Sequence, residues 1–473
     1  MNKKIRTESD SVGTLEVPSE AYYGVQSLRG YHNFRITGRA IHKDLIFNIA
    51  KIKKAASLVN ARYGFLDKKI SEAIIVACDE IIRGEFTDEF IVDAIEGGAG
   101  TSANMNANEV IANRAEELLG GKKGEYKLCH PNDHVNMAQS TNDVIPTAAH
   151  LTVLDLMKPL LSALEELAQA LGEKSEEFDQ ILKMGRTQLQ DAVPMRLGQS
   201  FRAFASAVSR DIKRLTDIQS QMLTINLGAT AIGTALNVEP EYFHNITKQL
   251  SLISGYELVQ ATDLFDATQN ADCFVAVSGI LKACAVNLSK MSNDLRLLSS
   301  GPRTGIGEIT LPPMQNGSSI MPGKINPVIP EVVSQVAFLV IGHDVTIAMA
   351  AEAGQMELNA FEPVICNALF ESITTLTGAV KTLTENCIRG IVANFGRCAQ
   401  LVEASVGVVT ALCPYIGYKK SAAIAREALE TGVKVRDIVR REKLMDDEIL
   451  DKALDPYAMT EPRTLSENNK KTI

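Results

Sequence analysis

The chain is 473 residues long and carries 48 lysines and arginines against 57 aspartates and glutamates, a net charge of -9. That length buries a large core and divides into about two to four regions. The acidic balance, with no block of consecutive basic residues, argues against nucleic acid or an anionic membrane as the main partner.

The N-terminus, Met1-Asn2-Lys3-Lys4-Ile5-Arg6, runs into polar Thr7-Glu8-Ser9-Asp10, so no signal peptide is expected and the protein is expected in the cytoplasm. Up to residue 139 the segments are short and broken by turns such as Gly84-Glu85-Phe86-Thr87 and Gly120-Gly121-Lys122-Lys123-Gly124, which predicts a mixed N-terminal domain, 1–139. From 140 to 396 long helical patterns dominate. Between Asn142 and Phe178 the residues Leu160, Leu164, Leu167 and Leu171 form the stripe of a bundle helix, which Pro159 is expected to bend. Similar segments at about 196–222, 262–298, 327–352 and 358–392 predict an elongated helical bundle. A small C-terminal helical domain, 397–473, is punctuated by Pro414, Gly417 and Gly432, and its last residues, from Ser466, are expected to fray. No tryptophan and 5% aromatics favour helix over sheet, so the fold class is mainly α. The apolar run from Val406 to Leu412 is too short to span a membrane, and no membrane partner is expected.

Eight cysteines, at 78, 129, 273, 284, 366, 387, 398 and 413, form no CxxC pair and read as free thiols in a reducing compartment, most of them buried. Cys129 lies near His130 and His134 but lacks the second cysteine of a zinc site, so no catalytic metal is expected.

Four polar stretches carry the chemistry. In Gly317-Ser318-Ser319-Ile320-Met321-Pro322-Gly323-Lys324-Ile325-Asn326-Pro327, glycines hinge a loop that opens a helix, with Pro327 suited to its first position and Asn326 to its N-cap. Lys324 and the loop amides supply positive potential for an anion and for a serine alkoxide. A nucleotide-binding P-loop is excluded, because five residues separate the glycines and Ile325 follows the lysine. The second stretch, Gly97 to Glu109, leads small residues into hydroxyls and three alternating asparagines, and the third, Gln139-Ser140-Thr141-Asn142-Asp143, opens the longest helix. Both read as helix caps or as uncharged donors for a dicarboxylate. The fourth, Gly185 to Pro194, reads as a polar loop between helices.

Together with Pro18-Ser19-Glu20-Ala21-Tyr22-Tyr23-Gly24-Val25 and His130-Pro131-Asn132-Asp133-His134-Val135-Asn136, these stretches resemble the aspartase/fumarase superfamily over almost the whole chain. Gly97 to Ser102 and Asn326 to Val332 are more similar to its aspartase branch than to its hydratases. The resemblance implies elimination of ammonia from L-aspartate to give fumarate, with no covalent cofactor. It implies Ser318 as the base and Ser319, Thr101, Ser140 and Thr141 as holding the substrate, chiefly its β-carboxylate. Thr187, Lys324 and Asn326 would surround the α-carboxylate and Asn142 the amino group. It also implies a homotetramer with a multi-helix core and active sites shared between subunits. Some relatives are activated by divalent metal away from the catalytic site. His130, Asn132 and Asp133 match a segment near a secondary anion site, or hydrogen-bond structurally. Many fumarases and some aspartases are expected to have histidine where this chain has Gln188, which cannot deliver a proton to a departing hydroxide. Deamination is therefore expected over dehydration. The rivals are a fumarate hydratase, a lyase for a substituted aspartate, and a noncatalytic structural relative, which would have lost site residues present here.

Overall fold

A computed structural model describes residues 4–462. In chain order the strands are β1 (Ile5–Ser9), β2 (Thr14–Pro18), β3 (Leu182–Thr187), β4 (Gln190–Arg196), β5 (Thr224–Ile225), β6 (Val259–Gln260), β7 (Ile309–Thr310) and β8 (Val392–Ala393). The helices are α1 (Val25–Asn33), α2 (Lys43–Arg62), α3 (Lys68–Ile82), α4 (Thr101–Leu118), α5 (Thr141–Glu177), α6 (Leu197–Met222), α7 (Pro240–Ser254) and α8 (Leu264–Gln269). They continue with α9 (Asp272–Leu298), α10 (Val328–Glu352), α11 (Glu362–Asn386), α12 (Phe395–Ala404), α13 (Cys413–Ile416), α14 (Tyr418–Thr431), α15 (Val435–Arg441) and α16 (Asp447–Ala453). The fold is mainly α, as expected. Contacts divide it into a first unit, up to Ser162 with Lys213–Ala285 and Val336–Thr377, and a second, Ala163–Ile212, Val286–Gln335 and Gly378 onward.

In the first unit α2 packs against α3 and α7. Its residues Leu45, Ile46, Ile49, Ile52, Ala56 and Val59 recur at three- and four-residue spacing and are all buried, while His42 caps its N-terminus by accepting from the Asp44 amide. The N-terminus of α1 begins at Gly24, which has no side chain to cap it. Two buried carboxylates replace the cap. Glu109 accepts from the amides of Gly24 (2.9 Å), Gln26 (2.9 Å) and Ser27 (3.0 Å) and from the Ser27 hydroxyl, and Glu8 accepts from the Val25 amide at 2.9 Å. A Cβ at position 24 would meet the Tyr126 hydroxyl at 2.5 Å, so glycine is required for the carboxylates to approach.

The long helices fall close to the predicted segments. Leu160, Leu164, Leu167 and Leu171 are fully buried along α5, which continues through Pro146 and Pro159. The expected 262–298 segment is two helices, because Asn270 is extended and its amide binds Asp266 at 2.6 Å. Among the described residues four helices, beginning at Thr141, Asp272, Val328 and Glu362, are long and apolar enough to cross a membrane by length and composition. Inspection of the Val406–Leu412 run alone misses them. A helix with neighbours on several sides carries apolar residues on more than one face, and 72% of the apolar window of α5 is buried inside the protein.

The second unit corrects one local expectation. Gly185 to Pro194 is not an interhelix loop but most of an antiparallel hairpin, β3 with β4, whose register shifts between Met184 and Arg186. Gly185 makes that irregularity possible, since a Cβ there would lie 2.8 Å from the Val193 carbonyl. Glu308, fully buried, anchors the hairpin by pairing with Arg186 at 2.9 Å and Lys183 at 3.3 Å. Farther on, Leu412, Ile424, Ile438, Val439 and Leu450 make a compact core under α14 to α16.

Replacing Glu109 with alanine strands buried amide donors at the start of α1 and is expected to lower stability by about 3 kcal/mol. Denaturant unfolding measures this, and an unchanged midpoint and slope would remove Glu109 from the cap.

Candidate active site

The predicted residues fall into two groups, one in each unit. In the first unit, Ser140 caps α5 in a capping box. Its hydroxyl accepts from the Asn142 amide at 3.3 Å, and Asp143 accepts back from the Ser140 amide at 2.9 Å. The other oxygen of Asp143 accepts from the amides of Gly228 (3.0 Å) and Thr230 (3.1 Å), which fixes the 228–230 turn against the helix start. Asn142 donates its side-chain amide to the Ala231 carbonyl at 2.7 Å, leaving Oδ1 as an acceptor. Such an acceptor suits an ammonium group.

Thr141 Oγ1 accepts from Asn104 at 3.2 Å, so its own proton is free to be donated. Asn104 and Asn108, one turn apart on α4, both donate to Asn136 Oδ1, at 3.2 and 3.1 Å. Asn106 faces elsewhere and pairs with the backbone of Glu89 and Ile91. The same Asn136 oxygen receives Lys53 Nζ at 2.8 Å. Lys53 is wholly buried, and burial brings its ammonium down to about 7, with the charge of Asp143 opposing. Burial likewise raises Asp143 to about 6 despite its amide bonds. Thr101 is the first residue of α4 and is exposed, but its hydroxyl donates to the Gly98 carbonyl at 2.7 Å and must turn away from it to serve as a donor.

In the second unit, the 317–327 loop is closed by backbone bonds from the Gly317 amide to the Lys324 carbonyl (2.9 Å) and from the Lys324 amide to the Met321 carbonyl (3.3 Å). Gly317 has no room for a side chain, because a Cβ would lie 2.3 Å from the Lys324 oxygen. Within this loop Ser318 Oγ accepts the amides of Ile320 (3.2 Å) and Met321 (3.1 Å). Two donors on one hydroxyl oxygen are the arrangement that favours its anionic form. Ser319 and Lys324 are exposed. Asn326 does not cap the helix. The helix starts at Val328, and the Asn326 side chain reaches back to the Gly317 carbonyl at 2.8 Å, clamping the two ends of the loop. Thr187 ends β3 and pairs with Gln190, which puts Gln188 and Leu189 at the hairpin tip with φ of 52° and 64°. Both are exposed.

The sequence model of the family described as "Lyase" matches residues 13–342, and that of "Fumarase C C-terminus" matches 408–461. The chain belongs to this lyase family. It is 51% identical to the aspartate ammonia-lyase of Bacillus subtilis (strain 168) over 460 residues, covering 97% of each chain. It is 50% identical to that of Helicobacter pylori (strain ATCC 700392 / 26695), covering 98% of this chain and 100% of the relative. Among solved structures, a fumarate lyase:delta crystallin from Brucella melitensis bound to cobalt superposes with a TM-score of 0.94 at 48% identity, covering 97% of this chain and all of that one. A recombinant class II fumarase from Schistosoma mansoni superposes with a TM-score of 0.94 at 33% identity, covering 98% of this chain and all of that one.

Lys53 escapes a reading of the sequence of this lyase, whereas Asn136 and Asp143 fall inside its polar stretches without a role of their own. Lys53 sits between Lys51 and Lys54, which look like a charged surface, yet it shares a face with buried Ile49 and Ala56. That spacing was the available signal. His130 accepts the amides of Asn132 and Asp133 at 3.2 Å and so caps the turn that follows, a structural role.

Asn326→Ala removes the loop clamp and is expected to speed hydrogen exchange of the Gly317 and Lys324 amides about tenfold, the equivalent of about 1.4 kcal/mol. Exchange at the wild-type rate would show that the backbone bonds alone close the loop.

Proposed function

We propose that the chain catalyses the reversible deamination of L-aspartate to fumarate and ammonia. Relatives named aspartate ammonia-lyase match it at about half their positions over nearly their full length, and the carbon–nitrogen lyase class follows from that likeness. Within this reading Ser318 is the base, and the observation that carries it is the pair of amides donated to Ser318 Oγ.

The chemistry is demanding because a C–H beside a carboxylate is a very weak acid. In the proposed reaction Ser318 takes the proton from Cβ, and the electron pair moves into the β-carboxylate as an enediolate dianion. The pair then returns to form the Cα–Cβ double bond while the Cα–N bond breaks and ammonia leaves. Hydroxyls of Ser140, Thr141, Ser319 and Thr101 would donate to the dianion, which preorganised donors stabilise without reorganising at the moment of reaction. Lys324, Asn326 and Thr187 would hold the α-carboxylate. An amine leaves as neutral ammonia without a proton donor, so Gln188 suffices where a departing hydroxide needs an acid. The reaction uses no covalent cofactor and no catalytic metal.

Assembly as a homotetramer with shared active sites belongs to the same proposal, as does a cytoplasmic location. Supporting assembly, α10 exposes Phe338, Val345 and Met349 at 63%, 56% and 67%, an apolar stripe that copies of the chain would cover. Supporting a reducing compartment, Cys78, Cys129, Cys366, Cys387 and Cys398 are buried free thiols.

Fumarate is read by its ultraviolet absorbance with L-aspartate and L-malate offered separately in the presence of chelator. Product from aspartate alone is the expected result, and product from malate alone would make the chain a hydratase. Ser318→Ala is expected to lower kcat by about 10²- to 10⁴-fold with an unchanged thermal melt. Retained turnover would require another base.

A further inference from the structure

Within the first unit a cavity of about 130 Å³ is lined by Pro146, Thr147 and His150 of α5, Asn226, Asp266 of α8, Asp272 and Cys273 of α9, and Glu362 at the start of α11, among others. It has room for more than one water-sized guest. Glu362 is 5% exposed, and its Oε2 is buried without a hydrogen-bond partner. Glu109 and Asp143 are met by amides and Glu308 by Arg186 and Lys183, while Glu96, whose Oε2 is likewise without a partner, accepts the Ala103 amide on its other oxygen at 3.1 Å. No lysine or arginine lines the cavity among the described residues. The other titratable groups around Glu362 are Asp266, Asp272, His150, Cys273 and Cys366. None supplies positive charge, because burial lowers His150 to about 4 and raises both thiols.

We propose that this cavity binds an ammonium ion, with Glu362 as its counter-charge. A buried carboxyl group ionises only where a cation offsets its charge, and no basic side chain of the protein lines this cavity among the described residues. Among the described residues no three histidine, cysteine, aspartate or glutamate side chains are grouped to hold a metal ion. Ammonium requires only about four acceptors, for which the cavity wall offers the carboxylates, the Thr147 oxygen and Asn226 Oδ1, itself already accepting from the Thr147 hydroxyl at 3.4 Å, where a hard metal cation requires about six to eight. Asn226 also donates to the Asn142 carbonyl at 3.0 Å, so the cavity wall touches the residue assigned to the substrate's amino group. A role in receiving released ammonia rests on the proposed reaction, whereas the binding itself does not.

The pH dependence has a fixed sign. Burial raises Glu362 to about 8. Below that pH ammonium must displace a proton, so its affinity falls about tenfold per unit, and above it the affinity levels off. Wild type and Glu362→Gln are melted at about pH 8.5 and about pH 6.5 in ammonium, potassium and sodium chloride at equal ionic strength. The expected result is a saturable ammonium-specific rise in the wild-type melting temperature, larger at the higher pH and absent from Glu362→Gln. An equal rise in both proteins would put the ion elsewhere, an equal rise with potassium would overturn the assignment of ammonium, and no rise would overturn the site. If Glu362→Gln does not fold, wild type is titrated with ammonium chloride in weak buffer near pH 7. About one proton released per subunit bound supports the site, and binding without release overturns it. Neither measurement uses turnover, so failure here is separable from failure of the proposed reaction.

Discussion

Each of three hydroxyl oxygens in the two groups of site residues already accepts an N–H from inside the protein. Ser140 Oγ takes the Asn142 amide, Thr141 Oγ1 takes Asn104, and Ser318 Oγ takes two loop amides. A hydroxyl has one proton, so loading its acceptor side leaves that proton to point outward. A dicarboxylate needs donors of this kind, and a fold that satisfies their lone pairs fixes their direction before the substrate arrives. Ser318 carries the principle further. With two amides on one oxygen, the proton itself becomes easier to lose, which a base requires. Thr101 is the exception, since its proton is spent on Gly98.

Holding those donors still takes buried charge, and the protein treats each buried charge differently. Glu109 and Glu308 are compensated, by amides and by two basic side chains, and they anchor segments remote in sequence. Lys53 is compensated only in part, by one amide oxygen and the field of Asp143, so burial pulls the lysine down and the aspartate up until the two ranges nearly meet. Two groups in that condition share protons readily in response to a new charge nearby. In the proposed reaction a carboxylate held at Thr141 would bring such a charge and favour the protonated amine. Glu362 has a buried oxygen with no hydrogen-bond partner and no basic side chain around its cavity among the described residues.

The fold was legible in the sequence wherever a single element decided it. The leucines at 160, 164, 167 and 171 marked α5, and Ser140 marked its cap, because periodicity and capping act within a few residues. Where partners lie far apart in sequence the reading failed. The β3–β4 hairpin depends on Glu308, 122 residues beyond Arg186, and its tip has non-glycine residues at positive φ where the usual signal is Asn-Gly. Asn326 looked like a cap because caps are common after loops, but the loop's own closure had the stronger claim on its amide. The site residues were legible as chemical types. Their orientation was not, since Thr101 and Thr141 differ only in what their hydroxyls touch.

In the proposed reaction the hairpin tip would bear on the choice of leaving group. Gln188 and Leu189 adopt a conformation that costs on the order of 1 kcal/mol or more for each non-glycine residue. Such strain persists only where the surroundings hold it, and here the Thr187–Gln190 pair and the buried anchor at Glu308 do so. The result is an exposed side chain on a backbone held in place, directly after Thr187. An amide held there can donate to a carboxylate and orient it, but it has no proton to give to a departing oxygen. Positioning without acidity suffices only for a leaving group that departs as a neutral molecule. An amine meets that condition and a hydroxide does not.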